Sequence, residues 1–219
     1  MSPLKIITTQ DGYHSLLNEA MNETYHSRHG AIQESEYVFI EKGLKFFLRD
    51  KKELVSVLEI GFGTGLNALL TANLSQTDEI NIVYTALETH PITEEIWRTL
   101  NYSTEKLLFE KLHATAWNEW VTITPQFNLF KREESLQAAN LGVQQFDLIY
   151  FDAFAPNKQP EMWEHTMLQK ISLAMKLGAV FVTYCAKGQL KRDLKSLGLV
   201  VESLSGPPGK REMVRAIKI

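Results

Sequence analysis

The chain has 219 residues, 44% of them hydrophobic and 22% charged, and its 23 Lys and Arg against 26 Asp and Glu give a formal net charge of −3. That length fits one folding unit with a substantial core, leaves no room for a second cofactor-binding domain beside it, and the composition excludes a disordered, collagen-like or coiled-coil chain. The lone cysteine, Cys185, excludes an intramolecular disulfide and a cysteine-based zinc cage; residues 1–10 lack a signal-peptide core, and no stretch reaches the roughly 18 apolar residues of a membrane span. A cytoplasmic protein is expected.

Residues 1–53 are read as an N-terminal cap packed on a main domain of residues 54–219. In the cap, Asp11-Gly12 marks a turn, His14 to Ala20 a short helix, and Tyr37 to Ile40 with Gly43 to Arg49 a helix against the main domain. Leu54 to Ile60 is a short apolar strand that runs into Gly61-Phe-Gly-Thr-Gly65 and the helix Leu66 to Leu74. Ile80 to Leu87 is a second strand ending at Glu88, and Pro91 to Leu100 a helix with Glu94 and Glu95 in its first turn. From Trp117 to Gln145 the pattern is weak; Asn128 to Phe130 reads as a third strand and Glu133 to Asn140 as a helix. Phe146 to Phe151 is a buried strand delivering Asp152, followed by a helix from about Glu161 to Lys176 and the strand Ala179 to Tyr184.

Alternating strands and helices predict an α/β fold with right-handed crossovers and a mainly parallel sheet. Leu199 to Leu204 and Glu212 to Ile217, joined only by Ser205 to Arg211, predict a C-terminal antiparallel hairpin. A parallel Rossmann-like sheet finished this way, expected here with seven strands, is the arrangement of class I S-adenosylmethionine-dependent methyltransferases.

Three segments carry chemistry. In Glu59-Ile-Gly-Phe-Gly-Thr-Gly65, Gly61, Gly63 and Gly65 let the backbone turn from strand to helix and approach a nucleoside closely. The spacing differs from the G-x-G-x-x-G that seats a pyrophosphate, and the Glu59 carboxylate is placed to reach the cationic end of adenosylmethionine. Glu88, about 25 residues on, ends an apolar strand where a carboxylate accepts hydrogen bonds from ribose hydroxyls, which suits a methyltransferase and an NAD enzyme alike. Asp152-Ala-Phe-Ala-Pro156 leaves the carboxyl end of the fourth strand, so that Asp152 points into the cleft. There its oxygen can hold an amine N–H and stabilise charge growing on nitrogen, while Phe154 stacks on a planar base.

Asp152-Ala-Phe-Ala-Pro-Asn-Lys-Gln-Pro-Glu-Met-Trp163, together with Glu59 to Asn67, Glu88-Thr-His-Pro-Ile-Thr93, Gly209-Lys-Arg-Glu-Met213 and the N-terminal Glu23-Thr-Tyr-His-Ser27, resembles the MnmC-type methyltransferase domain. That family makes 5-methylaminomethyl-2-thiouridine at the tRNA wobble position. The resemblance implies N-methylation of a 5-aminomethyl group with S-adenosylmethionine, on the anticodon loop of tRNA, in a stand-alone form without FAD or metal and with no obligate protein partner. It implies Asp152 as the catalytic residue and Glu59, Gly61, Gly63, Gly65, Asn67, Glu88, Glu133 and Asp152 at the cofactor. Phe154, Pro156, Lys187, Lys210 and Arg211 would then meet the substrate. The family tends to carry Gly-Asp near the adenine, where this chain has Arg132-Glu133, with Glu133 as the substitute.

Other features read as structural. The histidines at 14, 26, 29, 90, 113 and 165 show no metal-ligand spacing, His26 is placed in the cap, Cys185 reads as a packed thiol, and Trp97, Trp117, Trp120 and Trp163 read as core or helix-packing residues. Competing functions are a methyltransferase for a free small amine, an NAD-dependent oxidoreductase, which the loop spacing and hairpin disfavour, and a non-catalytic module in tRNA maturation. Charge is uneven: residues 1–110 carry 9 basic and 16 acidic groups, whereas residues 176–219 carry 9 basic and 3 acidic ones. Such a local basic patch leaves room for one tRNA despite the net acidity.

Overall fold

The structure is a computed structural model and describes residues 4–50, 53–102 and 106–219. Strands β1 (Leu4–Thr8), β2 (His14–Asn18) and β3 (Glu23–Thr24) form a small antiparallel sheet. The helix expected from His14 is therefore strand β2. Gly12, with φ 84°, reverses the chain so that His14 faces Thr8 and Asn18 faces Leu4, and the ladder buries Leu16. A continuous helical stretch follows as α1 (Ala31–Ser35), a π-helical run Glu36–Leu44, α2 (Lys45–Phe47) and a 3₁₀ turn Leu48–Asp50. It sinks Ala31, Val38, Phe39 and Leu44 into the core, and at Gly43 it lies so near the sheet that a Cβ would meet Val182 Cγ2 at 3.0 Å.

The main sheet is assembled from β4 (Leu54–Ile60), α3 (Leu66–Thr77), β5 (Asn81–Glu88), α4 (Glu94–Trp97), α5 (Lys106–Ala114), β6 (Trp120–Thr124), β7 (Phe127–Glu133), β8 (Phe146–Phe151), α6 (His165–Ala174), β9 (Met175–Thr183), α7 (Gly188–Ser196), β10 (Leu199–Ser205) and β11 (Glu212–Lys218). Its order is β10-β11-β9-β8-β4-β5-β7-β6. The pairs among β7, β5, β4, β8 and β9 are parallel, and β11 runs antiparallel between β9 and β10. The terminal hairpin stands as expected. The sheet has eight strands rather than seven, because β6 adds an antiparallel edge to β7.

Successive residues of the central strands feed opposite faces, as a doubly covered sheet requires. Val57, Leu148 and Tyr150 join the core under the N-terminal helical stretch and α3, whereas Leu58, Ile149 and Phe151 join the core under α6 and α7. Elsewhere the expected helix Pro91 to Leu100 contracts to the single turn of α4, and α5 was not anticipated. Glu133 to Asn140 is not helical. Pairing to β5 runs through Glu88 opposite Glu133, and the Glu134 N–H donates to Glu88 O at 3.0 Å, which holds the segment extended before a short turn. Among the described residues no helix is long and apolar enough to cross a membrane.

Chain connections leave β4 and β8 in opposite directions, so their carboxyl ends diverge at a topological switch point. A cavity of about 1030 Å³ opens there, between the ends of β4, β5 and β8 and the small N-terminal sheet.

Candidate active site

The loop after β4 is shaped by three glycines with positive φ: Gly61 at 90°, Gly63 at 51° and Gly65 at 72°. A Cβ on Gly61 would lie 2.9 Å from the Asp152 carbonyl oxygen, so the loops after β4 and β8 touch through a position only glycine fills. The N–H groups of Gly61 and Phe62 donate to Leu87 O at 3.0 and 3.1 Å, and Gly63 N–H donates to Glu88 Oε2 at 2.9 Å. Glu88 Oε1 accepts from the N–H groups of Thr89 and His90 at 2.8 and 2.9 Å, which fixes the carboxylate on the cavity wall.

Behind the loop, His113 Nε2 lies 3.0 Å from Thr64 O while the imidazole stacks on Trp97 with centroids 5.2 Å apart. Burial pushes His113 down to about 3, so the ring is neutral and Nε2 donates. Buried Lys131 closes this knot: its Nζ donates to His113 O at 2.8 Å and lies 4.9 Å from the Trp117 ring centroid.

Asn67, at the start of α3, joins the two carboxyls that the sequence singled out. Its Nδ2 donates to Glu59 Oε1 at 3.0 Å and to Asp152 Oδ2 at 2.9 Å, leaving Asn67 Oδ1 buried with no donor. Glu59 is 0% exposed and does not line the cavity, in contrast to the expectation that it reaches a bound ligand. It lies inside the parallel ladder, paired with Ala86 and Tyr150, and Asn67 stands in front of it. Burial, then the nearby Asp152, pushes the Glu59 carboxyl well above the usual range. Asp152 lines the cavity, and burial followed by the Glu34 charge pushes it up to about 7 against the opposing effects of Asn67 and Lys210.

The far wall combines both ends of the chain. Phe154 meets Tyr25 edge to face at 5.1 Å, and Trp163 Nε1 donates to Phe154 O at 2.8 Å. Tyr184 Oη donates to Ala153 O at 2.9 Å, beneath Lys210 Nζ at 3.6 Å from the Tyr184 ring centroid. Lys210 also pairs with Glu34 at 2.5 Å, and Glu34 Oε2 accepts from Ser27 N–H at 2.7 Å. His26 is buried on the cavity wall beside Ser15 Oγ at 3.2 Å and Thr64 Oγ1 at 3.3 Å, and burial pushes it down to about 4.

Gly61, Gly63, Asn67, Glu88, Asp152, Phe154 and Lys210 thus converge on one cavity. Gly65 supports the turn from outside the lining. Glu133 is exposed and outside it: its N–H donates to Asn118 Oδ1, and the next residue, Glu134, takes the lining position as the chain leaves the pleat of β7. Pro156 shapes the loop without lining the cavity, and Lys187 and Arg211 stand exposed outside it, at the N-terminus of α7 and in the β10–β11 turn. Tyr184 and Lys131 carry no sequence signal, whereas Tyr25 and Glu34 fall in the runs Glu23-Thr-Tyr-His-Ser27 and Glu34-Ser-Glu-Tyr-Val-Phe39 that belong to the resemblance.

A family described as S-adenosyl-L-methionine-dependent methyltransferase matches residues 105–219. The chain is 28% identical over 214 residues to the tRNA 5-methylaminomethyl-2-thiouridine biosynthesis bifunctional protein MnmC of Nitrosospira multiformis, covering 91% of this chain and 35% of that protein. The MnmC protein of Leptospira interrogans serogroup Icterohaemorrhagiae is 27% identical, with 90% and 33% covered. The chain therefore spans about a third of the length of the curated relatives it matches. Among solved structures, MnmC2 from Aquifex aeolicus matches with a TM-score of 0.84 at 22% identity, over 99% of this chain and 71% of that one. Spermidine synthase from Thermotoga maritima matches at 0.59 and 13% identity, over 97% and 72%, respectively. Both likenesses are of fold.

Proposed function

The chain belongs to the S-adenosyl-L-methionine-dependent methyltransferase family, and from that premise we propose that it methylates the primary amine of 5-aminomethyl-(2-thio)uridine at the tRNA wobble position. The observation that carries this reading is Asp152: a carboxylate at the switch point, hydrogen-bonded by Asn67, pushed up to about 7 and facing the cavity beside the aromatic Phe154 and Tyr25. The names of the similar MnmC proteins supply the acceptor.

The residues present fit adenosylmethionine. Gly61 and Gly63 line the cavity with bare backbone that would let a nucleoside approach closely, and Glu88 offers its carboxylate from the end of β5. The lining is acidic, as a cationic ligand requires. When bound, adenosylmethionine supplies a methyl group on a cationic sulfur, whose carbon–sulfur bond breaks as the amine nitrogen takes the methyl.

The chain's own part is to present that nitrogen neutral and aimed. An alkylammonium ordinarily titrates near 10, so entry into a partly desolvated cavity lowers its proton affinity while burial raises that of Asp152. Asp152 takes the proton shed by the amine, passes it to solvent, and then stabilises the secondary ammonium product. Phe154 and Tyr25 give the planar base an apolar wall. Described residues of the N-terminal segment, Tyr25, His26 and Glu34 among them, complete this wall.

Phosphates would be held outside. Lys187, Arg192, Lys195 and Arg211 are without an ion pair among the described residues, whereas Lys176, Lys191 and Arg215 pair with Asp147, Glu212 and Glu202. Unpaired cations of this kind would hold an RNA backbone in a salt-dependent way. The test is incubation with labelled adenosylmethionine and tRNA bearing 5-aminomethyl-2-thiouridine, followed by digestion to nucleosides. Label in 5-methylaminomethyl-2-thiouridine is expected; label in free small amines with none in the wobble base would refute the reading.

A further inference from the structure

Gly61, Gly63 and Gly65 all hold positive φ, so the loop after β4 restrains itself little and takes its shape from what surrounds it. Its first half hangs from β5: Gly61 and Phe62 donate to Leu87 O, and Gly63 donates to Glu88 Oε2. Its second half is held by imidazoles. His113 Nε2 lies 3.0 Å from Thr64 O, and His26 Nε2 lies 3.3 Å from Thr64 Oγ1. Helix α3 starts directly behind with Gly65 as its N-cap, and no side chain caps it.

His113 is placed to hold the loop without touching what the loop holds. Thr64 is among the residues lining the cavity, and His113 is not. The ring stacks on Trp97 at 12° and packs edge-on against Phe109 at 4.7 Å and Phe62 at 5.5 Å between centroids, which fixes its plane. It presses closely on the loop: a Cβ on Gly65 would fall 2.9 Å from His113 Nε2. Lys131 Nζ donates to the His113 carbonyl at 2.8 Å in the last turn of α5, where a cation suits the helix end. Two hydrogen bonds in series thereby join β7, α5 and the loop.

Resting on adenosylmethionine as the cofactor in the reading above, we infer that His113 is a positioning residue. Its Nε2–H pins the Thr64 carbonyl against α5 and keeps the second half of the loop in the shape that receives the nucleoside. Thr64 is buried, so without that donor its carbonyl turns toward water, and the cavity that Thr64 lines is where water is found. A ligand then binds only the molecules that still hold the pinned form, and affinity falls by that fraction. Loss of one hydrogen bond of ordinary strength leaves roughly a tenth of the molecules competent.

The experiment compares two substitutions. His113→Phe keeps an aromatic ring in the stack and removes the donor, whereas His113→Gln gives up the ring and offers an amide N–H from nearly the same place. Calorimetric titration with adenosylmethionine is expected to show about tenfold weaker binding by H113F and recovery to within about threefold of wild type by H113Q. A role in packing alone gives the opposite order, with H113F close to wild type and H113Q the weaker binder. H113F within about threefold of wild type, or H113Q binding no tighter than H113F, overturns the inference. If the wild-type protein binds no adenosylmethionine, the cofactor reading fails, and the pin is decided by amide hydrogen exchange on the ligand-free proteins. Exchange at the Gly65 amide at least about tenfold faster in H113F than in wild type and H113Q supports it, and equal exchange in all three overturns it.

Discussion

Replacing Asp152 by Asn keeps the shape of the side chain and the bond from Asn67 but removes a carboxylate held far from its ordinary range. In water an Asp titrates near 3.8, and in this cavity Asp152 is pushed up to about 7. That separation corresponds to at most about 4 kcal/mol, and to about 2 to 4 kcal/mol once partial solvent access is allowed for. The sign follows from proton uptake: between those two values the folded state holds a proton that the unfolded state has released, so native stability falls as pH rises across the window. Asp152→Asn escapes this loss. Urea unfolding of the ligand-free protein from pH 4 to 8.5 is therefore expected to show no advantage for the variant near pH 4, a growing one through pH 5 and 6, and a plateau above about 7. The same variant is expected to lose on the order of a hundredfold or more in methyl transfer while cofactor affinity stays within about tenfold. A variant whose stability tracks the wild type at every pH would refute the placement of a destabilised carboxylate here, and unchanged turnover would remove Asp152 from the reaction.

Gly61→Ala puts a Cβ 2.9 Å from the backbone oxygen of Asp152 at a φ of 90°, so it is expected to cost about 1 to 3 kcal/mol in unfolding and to weaken adenosylmethionine binding in calorimetry; wild-type affinity would contradict the close contact of the two loops. Lys210→Met removes a charge that holds the Asp152 titration down, so the rise of kcat/KM with pH is expected to move to higher pH, and a limb that stays put or moves lower would contradict that coupling. It also leaves Glu34 without its cation, at an expected cost of about 1 to 3 kcal/mol in unfolding.

The central strands were legible because burial on both faces writes them as unbroken apolar runs, as in Phe146 to Phe151, and the glycine loop because positive φ restricts residue choice so strongly. Peripheral elements were not. Trp120 reads as a core residue, yet it is 54% exposed and stacks on Phe130 at the open edge of β6, where pairing rather than burial sets the strand. His14 to Asn18 is apolar enough for either a helix or a strand, and only the turn at Gly12 and its partner β1 decide. In the site, a one-residue difference separates Glu133 from Glu134, because a strand end can send either neighbour inward. Glu59 adjoins the glycine loop in sequence, but in the fold it is buried within the strand ladder and reaches the cavity wall only through its bond from Asn67. The contacts of Glu34 with Lys210 and of Tyr25 with Phe154 join residues far apart in the chain and leave no periodic trace.

Strand β11 lies between β9 and β10, so the sheet takes its last-synthesised strand into its interior rather than at its edge. Lys210, which clasps the N-terminal helix through Glu34, sits just before that strand. The order in which a ribosome delivers the chain is therefore not the order in which its parts lock. The glycine loop and Asp152 precede β11 in the chain, so one flank of the sheet stays unfinished until Glu212–Lys218 pairs between β9 and β10. A chain lacking Glu212–Lys218 carries Asp152 but lacks the strand that Lys210 adjoins on the far wall of the cavity.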